Sequence, residues 1–299
     1  MSDDSFTKWV PVTDAEIQAY LGFVILMGIN RLPALRDYWR RDPAYHYGPV
    51  ADRIPRDRFF EITRYLHFVD NSAILPRDHP NFDRLWKVRP IIDTISDRFL
   101  HSYNPHMENA VDEAMIPFKG RSSLKQYMPK KPVKRGFKVW VRADSFNGYI
   151  CEFMVYVGKE GGRTEVGLGQ KVVERLTRVL VGGHCHIYFD NFFTGVELEC
   201  LLADGIYSCG TIRSNRKNIP DDLRPEMKKG LKERGGHMIR QDGHLVFTIW
   251  QDTKVVTMLS TNSQPTANHQ VLRRKKDGSQ VHVQSPDAIV KYNGRGGSE

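Results

Sequence analysis

The chain has 299 residues, of which 40% are hydrophobic, so it can form a large folded core and, on length alone, about two domains. Its formal net charge is +9, which makes a polyanion such as nucleic acid the expected partner. The longest apolar run, around residues 23–27, is too short for a membrane span, and the four cysteines form no Cys-x-x-Cys pair. We therefore expect a soluble, non-secreted protein with reduced thiols.

The first hundred residues show helical patterns. Thr13 and Glu16 are spaced as a capping box, and the apolar residues that follow lie on one helical face until Pro33. Residues 56–66 and 85–99 repeat the helical spacing, the second with a kink expected near Pro90. We predict a mostly helical N-terminal region.

After Asn109 the apolar spacing changes to that of strands. Residues 138–143 and 149–157 alternate apolar and polar side chains around Asn147-Gly148, which predicts a hairpin with a type I′ turn. An amphipathic helix follows at 168–181, with four side chains predicted to face inward: Val172, Leu176, Val179 and Leu180. Two further strands are predicted, one ending before Asp190 and the other at 207–212.

Residues 213–285 differ in composition from the segments before them. They are rich in basic residues and glycine turns, and they contain two predicted strands, at 245–251 and 254–260. We interpret them as an inserted subdomain. The basic run at 273–276 within it fits a nuclear-import signal, a phosphate contact or a plain polar loop equally well.

Two acids lie in or directly after buried strands. Asp190 stands where one short apolar strand stops, and Asp112 lies within another apolar segment 78 residues earlier (190 − 112). Neighbouring carboxylates repel each other unless a cation neutralises them, and Mg²⁺ prefers such oxygen ligands. Either acid alone would mean little, but the pair suggests a metal site.

A basic segment follows Asp112. It contains nine basic residues, no acid and several interleaved aromatic residues: Lys119, Arg121, Lys125, Lys130, Lys131, Lys134, Arg135, Lys138 and Arg142. A run of this kind is commonly just a solvated face. Its place directly after the Asp112 strand favours contact with a DNA backbone.

The two acid-bearing segments carry a resemblance to a known family. Residues 111–121 (VDEAMIPFKGR) and 188–194 (YFDNFFT) resemble the first two signature blocks of piggyBac-type DDE/D transposases. Upstream blocks match in order: 28–33 (GINRLP), 37–39 (DYW), 58–59 (RF) and 66–71 (LHFVDN). The resemblance extends from about Val12 to Asn293, which is nearly the whole chain.

The resemblance implies a mixed α/β fold with an RNase H-like catalytic core. On this basis we divide the chain into a helical DNA-binding and dimerisation region (1–108), the first part of the core (109–212), a β-containing insertion (213–285) and the approach to a helix bearing a third acid (286–299). Asp112 and Asp190, on neighbouring first and fourth core strands, would share two Mg²⁺ or Mn²⁺ ions.

The family's biology follows by the same resemblance. Its members cut DNA at transposon ends through hairpin intermediates, insert at TTAA and act as nuclear dimers. A membrane has no part in this reaction. We therefore expect a nuclear protein whose partner is DNA.

The third acid departs from the family pattern, which reads Tyr-Asn, a short spacer, and then Gly-Gly-Val-Asp. Here residues 292–299 read YNGRGGSE, so Glu299 takes the acid position as the last residue, where an untethered side chain is poorly held. The family's C-terminal cysteine-rich zinc module does not follow. We expect a C-terminally truncated, spliced or decayed transposase without activity, or alternatively a domesticated, non-catalytic DNA-binding protein.

Overall fold

A computed structural model describes residues 9–158, 167–275 and 277–295. The chain forms two compact units, Met1–Pro90 and Ile91–Glu299. Its described helices are as follows: α1 (Asp14–Ile29), α2 (Gly48–Ala51), α3 (Arg56–Tyr65), α4 (Arg89–His101), α5 (Leu168–Thr177), α6 (Cys200–Ala203), α7 (Arg224–Lys229) and α8 (Asp287–Arg295). None of these helices is long and apolar enough to cross a membrane.

The first unit is helical, as predicted. The capping box at α1 is confirmed, because the Glu16 amide donates to Thr13 Oγ1 at 3.3 Å and the Thr13 amide donates to Glu16 Oε2 at 3.0 Å. A buried cluster that includes Tyr20, Phe59 and Ile62 joins α1 to α3. Pro90 does not kink a helix: α4 begins at Arg89, so the proline lies in the first turn, where its missing N–H costs no hydrogen bond.

Within its described residues, the second unit is built on a nine-stranded mixed sheet in the order β2-β3-β1-β5-β6-β9-β8-β7, with β4 paired to β3. Its strands and those of a separate two-stranded hairpin have the following bounds: β1 (Glu108–Pro117), β2 (Gln126–Tyr127), β3 (Arg135–Asp144), β4 (Ile150–Val155), β5 (His186–Phe189), β6 (Tyr207–Thr211), β7 (His237–Asp242), β8 (Leu245–Gln251), β9 (Val255–Ser260), β10 (His269–Arg274) and β11 (Gln280–Ser285).

The order β4-β3-β1-β5-β6 is RNase H-like. Strands β1, β3 and β4 pair antiparallel, whereas β1, β5 and β6 pair in parallel. The mixed α/β fold class is therefore confirmed, and the strands that carry Asp112 and precede Asp190 are neighbours.

Residues 213–285 continue this sheet, because β9 pairs antiparallel with β6 and then with β8. The hairpin β10–β11 pairs only with itself among the described strands. The finer boundaries proposed from the sequence, at 108, 212 and 285, stay predictions.

The sheet is covered on both faces. On one face α5 buries Val172, Val173 and Leu176 against Val111 and Phe189. Val179, which was predicted to face inward, is 45% exposed, because the chain leaves α-helical geometry for a short 3-10 turn after Thr177.

The other face is covered by α8 and the β10–β11 hairpin. Ala288 and Ile289 of α8 pack with Tyr188, Cys209 and other buried residues. The approach to the expected third-acid helix is therefore itself helical over residues 287–295.

The β3–β4 hairpin is confirmed, but its turn is not the predicted two-residue type I′ turn. The Asp144 amide donates to the Tyr149 carbonyl, so four residues form the loop, and Asn147 lacks the positive φ that type I′ requires. The reason is the buried Asp144 carboxylate, which accepts hydrogen bonds from the Phe146 and His106 amides. These bonds fix a longer loop.

Candidate active site

The two predicted acids lie next to each other, Asp112 in the middle of β1 and Asp190 directly after the end of β5. Val111 and Phe189 form the last Cα pair of β1 and β5, and Asp112 and Asp190 come one residue later on each strand. Val111 and Phe189 pack beneath α5, so the alternation of side chains directs both acids to the face that α8 covers. The structure thus brings Asp112 and Asp190 together.

The electrostatics agree with this closeness. Although 57% of the Asp112 side chain is exposed, nearby protein desolvates the carboxylate and raises its pKa, and the charges of Asp190 and Glu113 add to that effect. The Lys131 ammonium opposes it. Solvent can still reach the Asp112 carboxylate, so an entering ion would meet a carboxylate whose charge is only partly balanced.

Tyr292 of α8 lies within electrostatic reach of both acids. Desolvation raises the pKa of its phenol to about 12, and the charges of Asp190 and Asp112 contribute to the rise, along with that of Cys209. The phenol therefore stays protonated beside the acid pair.

Asp190 is held by the turn that follows it. The Phe192 amide donates to Asp190 Oδ1 at 2.7 Å, and the Thr194 hydroxyl donates to the Asp190 carbonyl at 2.9 Å. Gly210 of β6 passes so close that a Cβ there would lie 2.3 Å from Thr194 Oγ1 and 2.5 Å from a Phe189 ring carbon. A glycine is therefore needed on the neighbouring strand.

Seven of the nine basic residues predicted to contact DNA are accessible. Lys125 and Lys131 are half-buried, and five are exposed: Lys119, Arg121, Lys130, Lys134 and Arg135. The Arg135 guanidinium lies over the Tyr127 ring at 5.1 Å. This surface contains both cations and an exposed aromatic ring, as a nucleic-acid contact would need.

The other two, Lys138 and Arg142, are interior residues. Arg142 is fully buried and donates to the Leu176 carbonyl at 2.7 Å and to Asn109 Oδ1 at 2.9 Å. Lys138 is buried in an ion pair with Glu113. Both lie on the face of β3 that α5 covers, so neither can reach a phosphate, and we remove them from the set of DNA contacts.

Sequence reasoning did not select Arg213, which stands two residues after β6. Its Nε donates to Asn191 Oδ1 at 2.5 Å, while Arg216 donates to the Asn191 and Phe192 carbonyls, at 2.6 Å each. Arg213 is exposed, so the segment after β6 adds a cation beside the Asp190 turn. The sequence does contain a signal for Arg213, because it is a basic residue just after β6, the strand next to the one that precedes Asp190.

The basic run at 273–276 is only partly free. Arg273 donates to Asp252 at 2.9 Å, and its guanidinium lies 5.6 Å from the centre of the Trp250 ring, whereas Arg274 and Lys275 are exposed. Lys276 lies outside the described residues. Arg273 therefore serves the packing of the hairpin.

The described part of the chain contains no cluster of three or more His, Cys, Asp or Glu side chains able to hold a metal ion. The Asp112–Asp190 pair supplies two hard oxygen ligands whose charge is only partly balanced, which fits part of a Mg²⁺ or Mn²⁺ site. Glu299, the doubtful third acid, lies outside the described residues.

Comparison with known proteins agrees with this geometry. The family model described as Transposase IS4 matches residues 1–298. Human PiggyBac transposable element-derived protein 3 is 32% identical, over 94% of this chain and 48% of its own length. Human PiggyBac transposable element-derived protein 2 is 31% identical, over 83% of this chain and 42% of its own.

A solved structure also matches. A piggyBac transposase synaptic complex with hairpin DNA, determined by cryo-EM, aligns with a TM-score of 0.81 at 25% identity, covering 98% of this chain and 59% of that one. The RNase H-like sheet and the acid pair thus belong to a DDE-type transposase domain. Within that class, the chain belongs to the piggyBac-type family. It spans about half the length of the curated relatives it matches.

Proposed function

We propose that this chain is a DNA-binding transposase domain in which Asp112 and Asp190 jointly hold Mg²⁺ or Mn²⁺. The observation that carries the proposal is the parallel register of β1 and β5, which sets the two acids one residue beyond the paired positions Val111 and Phe189. When bound, the metal would stabilise the attacking and leaving oxygens of a phosphoryl transfer.

The accessible basic surface supports DNA as the substrate. Lys130 and Lys134 are exposed on the loop between β2 and β3, and Arg135 is exposed at the first position of β3, in a chain with net charge +9. Each phosphate contact adds about 0.9 to the slope of log affinity against log salt. Family membership supports the finer proposals of transposon ends and TTAA as DNA sites, a homodimer and a nuclear location.

We further propose that the 299-residue chain binds DNA but cuts it poorly. Residues 9–158, 167–275 and 277–295 bring two acids together rather than three, and phosphoryl transfer depends almost wholly on positioning and charge stabilisation. A non-catalytic DNA-binding role is the second candidate, and the same observation favours it.

A cleavage assay on hairpinned transposon-end DNA in Mg²⁺ and in Mn²⁺ separates these roles. We expect binding without cutting from the 299-residue chain, and recovered cutting in a version extended by a Val-Asp-x-x-Asp helix. Asp190→Asn in the extended version should abolish that cutting, whereas Asp97→Asn, at an exposed acid on α4, should not. Cutting by the unextended chain that is lost in Glu299→Gln would establish Glu299 as a working third acid. Failure of the unaltered chain to bind the DNA would reject the proposed function.

A further inference from the structure

Lys131, a cation on the loop between β2 and β3, lies close to the pair formed by Asp112 and Asp190. Lys131 Nζ lies 3.9 Å from Asp112 Oδ2 and 3.6 Å from Glu113 Oε1, and it donates to the Glu113 carbonyl at 3.5 Å. The Lys131 ammonium thus lies within 4 Å of both the proposed metal ligand Asp112 and the Glu113 carboxylate. Lys130, the preceding residue, is exposed and has no such contact.

Glu113 is itself firmly held. Its Oε2 lies 2.6 Å from Lys138 Nζ, and that buried ammonium is surrounded by three aromatic rings, with centroids at 5.4 Å for Trp140, 5.9 Å for Tyr156 and 4.9 Å for Phe192. Cation–π contacts of this kind strengthen when they are desolvated. The pair Glu113–Lys138 is therefore a rigid support beneath the active-site strand.

The support reaches both acid-bearing segments. Phe192, one of the three rings around Lys138, also fixes Asp190 through its backbone amide. Contacts thus run from Asp112 through Lys131, Glu113 and Lys138 to Phe192 and Asp190. The contacts of Lys131 itself are long and its side chain is 33% exposed, so they hold the ammonium near Asp112 and still let it move to a phosphate.

We propose that Lys131 is a positioning residue of the active site, anchored by Glu113 and Lys138, which balances the Asp112 charge and competes there with divalent metal. This role rests on the proposed function, because Lys131 would regulate metal binding at that same site. A DNA phosphate that draws Lys131 toward itself would free Asp112 for the ion. Metal loading and entry of the DNA backbone then favour each other.

The competition predicts an effect on metal affinity in the absence of DNA. A unit charge about 5 Å from a divalent ion opposes its binding even in a water-like dielectric, so removing the charge should tighten Mn²⁺ binding about three- to tenfold at low salt. Free Mn²⁺, measured by electron paramagnetic resonance, gives this affinity without any need for cleavage.

The experiment compares Lys131→Met with Lys130→Met, its matched neighbour. Both should lower the DNA salt slope by about 0.9, but only Lys131→Met should tighten Mn²⁺ binding. Unchanged Mn²⁺ affinity in Lys131→Met, or equal tightening in Lys130→Met, would overturn the inference. Loss of Mn²⁺ binding in Asp190→Asn is the separate check on the metal site, so failure of the site and failure of the inference are distinguishable.

A second variant tests the anchor. In a Glu113→Gln background Lys131 loses its carboxylate partner, so the effect of Lys131→Met on Mn²⁺ affinity should shrink to less than about twofold. An undiminished effect would overturn the role of Glu113. If Glu113→Gln does not fold, Lys131→Arg in the otherwise unaltered chain replaces it: an anchored guanidinium should retain the weak Mn²⁺ affinity, and tightening equal to that of Lys131→Met would overturn the positioning.

Discussion

Asp112 and Asp190 each lie one residue beyond the last paired position of two neighbouring parallel strands. The pairing of β1 with β5 ends at this point although β1 continues to Pro117, and the parallel register sets the two carboxylates side by side. The like charges raise the pKa of Asp112 in addition to desolvation, which is the larger cause. Such a pair binds a divalent cation more readily than either acid would alone.

The basic residues within 130–135 should account for much of the salt dependence of DNA binding. Replacing Lys130, Lys131, Lys134 and Arg135 together by Ala should reduce the slope of log affinity against log salt by about 0.9 for each lost phosphate contact. A control that removes two cations rather than four from another surface is Lys228→Ala with Lys229→Ala, at exposed lysines on α7. If the loop variant keeps the unaltered affinity and slope, the loop is only a solvated face.

Arg142 should prove structural, despite its place in a basic run. Arg142→Met removes one of the two cationic partners of the buried Glu152, the other being Arg178, and also the donor to Asn109. Breaking a buried pair costs about 3–5 kcal/mol in the free energy of unfolding. Urea denaturation measures that loss. Lys119→Met, at an exposed position, should cost less than about 0.5 kcal/mol.

An equal loss in these two variants would contradict the burial of Arg142. Arg142→Met should also leave the DNA salt slope unchanged in the fraction that stays folded. A change of about 0.9 in that slope would restore Arg142 to the set of DNA contacts.

Lys138 and Arg142 show a feature of the fold that the sequence of β3 does not reveal. The alternation in β3 separates Val139, Val141 and Ala143 from a mostly polar set, Lys138, Trp140 and Arg142. A DNA contact by Lys138 and Arg142 requires this polar set to face solvent. Both faces of the sheet are covered, however, and α5 packs on that polar set. Alternation gives two faces, but it does not tell which layers will cover them.

Features that depend on neighbouring residues are predictable from the sequence, whereas features that depend on distant contacts are not. The capping box at Thr13 and the pairing of β3 with β4 follow from neighbouring residues, and both are confirmed. The meeting of Asp112 and Asp190 came from family resemblance. The return of Lys131 to Asp112 and the contact of Arg213 with Asn191 depend on tertiary packing, which spacing cannot show.

Asp144 should make the free energy of unfolding fall as the solution becomes acidic. Burial would raise its pKa, but hydrogen bonds from His106, Phe146 and Tyr103 outweigh that and hold the pKa well below its ordinary value. A depressed carboxyl pKa stabilises the fold above the unfolded value, about 3.9, and this contribution is lost as pH falls toward the folded pKa.

Asp144→Asn should therefore flatten the fall in unfolding free energy below about pH 4, as measured by urea denaturation from pH 3 to 7. Other acids with lowered pKa, such as Asp287 and Asp252, keep part of the dependence. Asp97→Asn, at an exposed acid, is the control. If the free energy of unfolding falls equally below about pH 4 in Asp144→Asn and in the unaltered chain, Asp144 does not have this role.

Gly210→Ala should disturb the Asp190 turn from the neighbouring strand. The added Cβ would meet Thr194 Oγ1 and the Phe189 ring well inside contact distance, and such overpacking costs about 1–3 kcal/mol. The midpoint temperature of thermal unfolding and the affinity for Mn²⁺ should both fall. Gly22→Ala in α1, where a Cβ meets nothing within 4 Å, should instead leave stability unchanged or raise it by up to about 1 kcal/mol. Equal behaviour of the two variants would contradict the close packing at Gly210.

The most direct test of the shared metal site is a Mn²⁺ titration monitored by electron paramagnetic resonance. It compares the unaltered chain with Asp112→Asn, Asp190→Asn and the double variant. Two carboxylates that share one site give non-additive losses, because either change alone removes the same binding. We predict that each single variant loses the Mn²⁺ binding and that the double variant is no worse. Unchanged binding in Asp190→Asn, or separate and additive losses, would contradict a shared metal site.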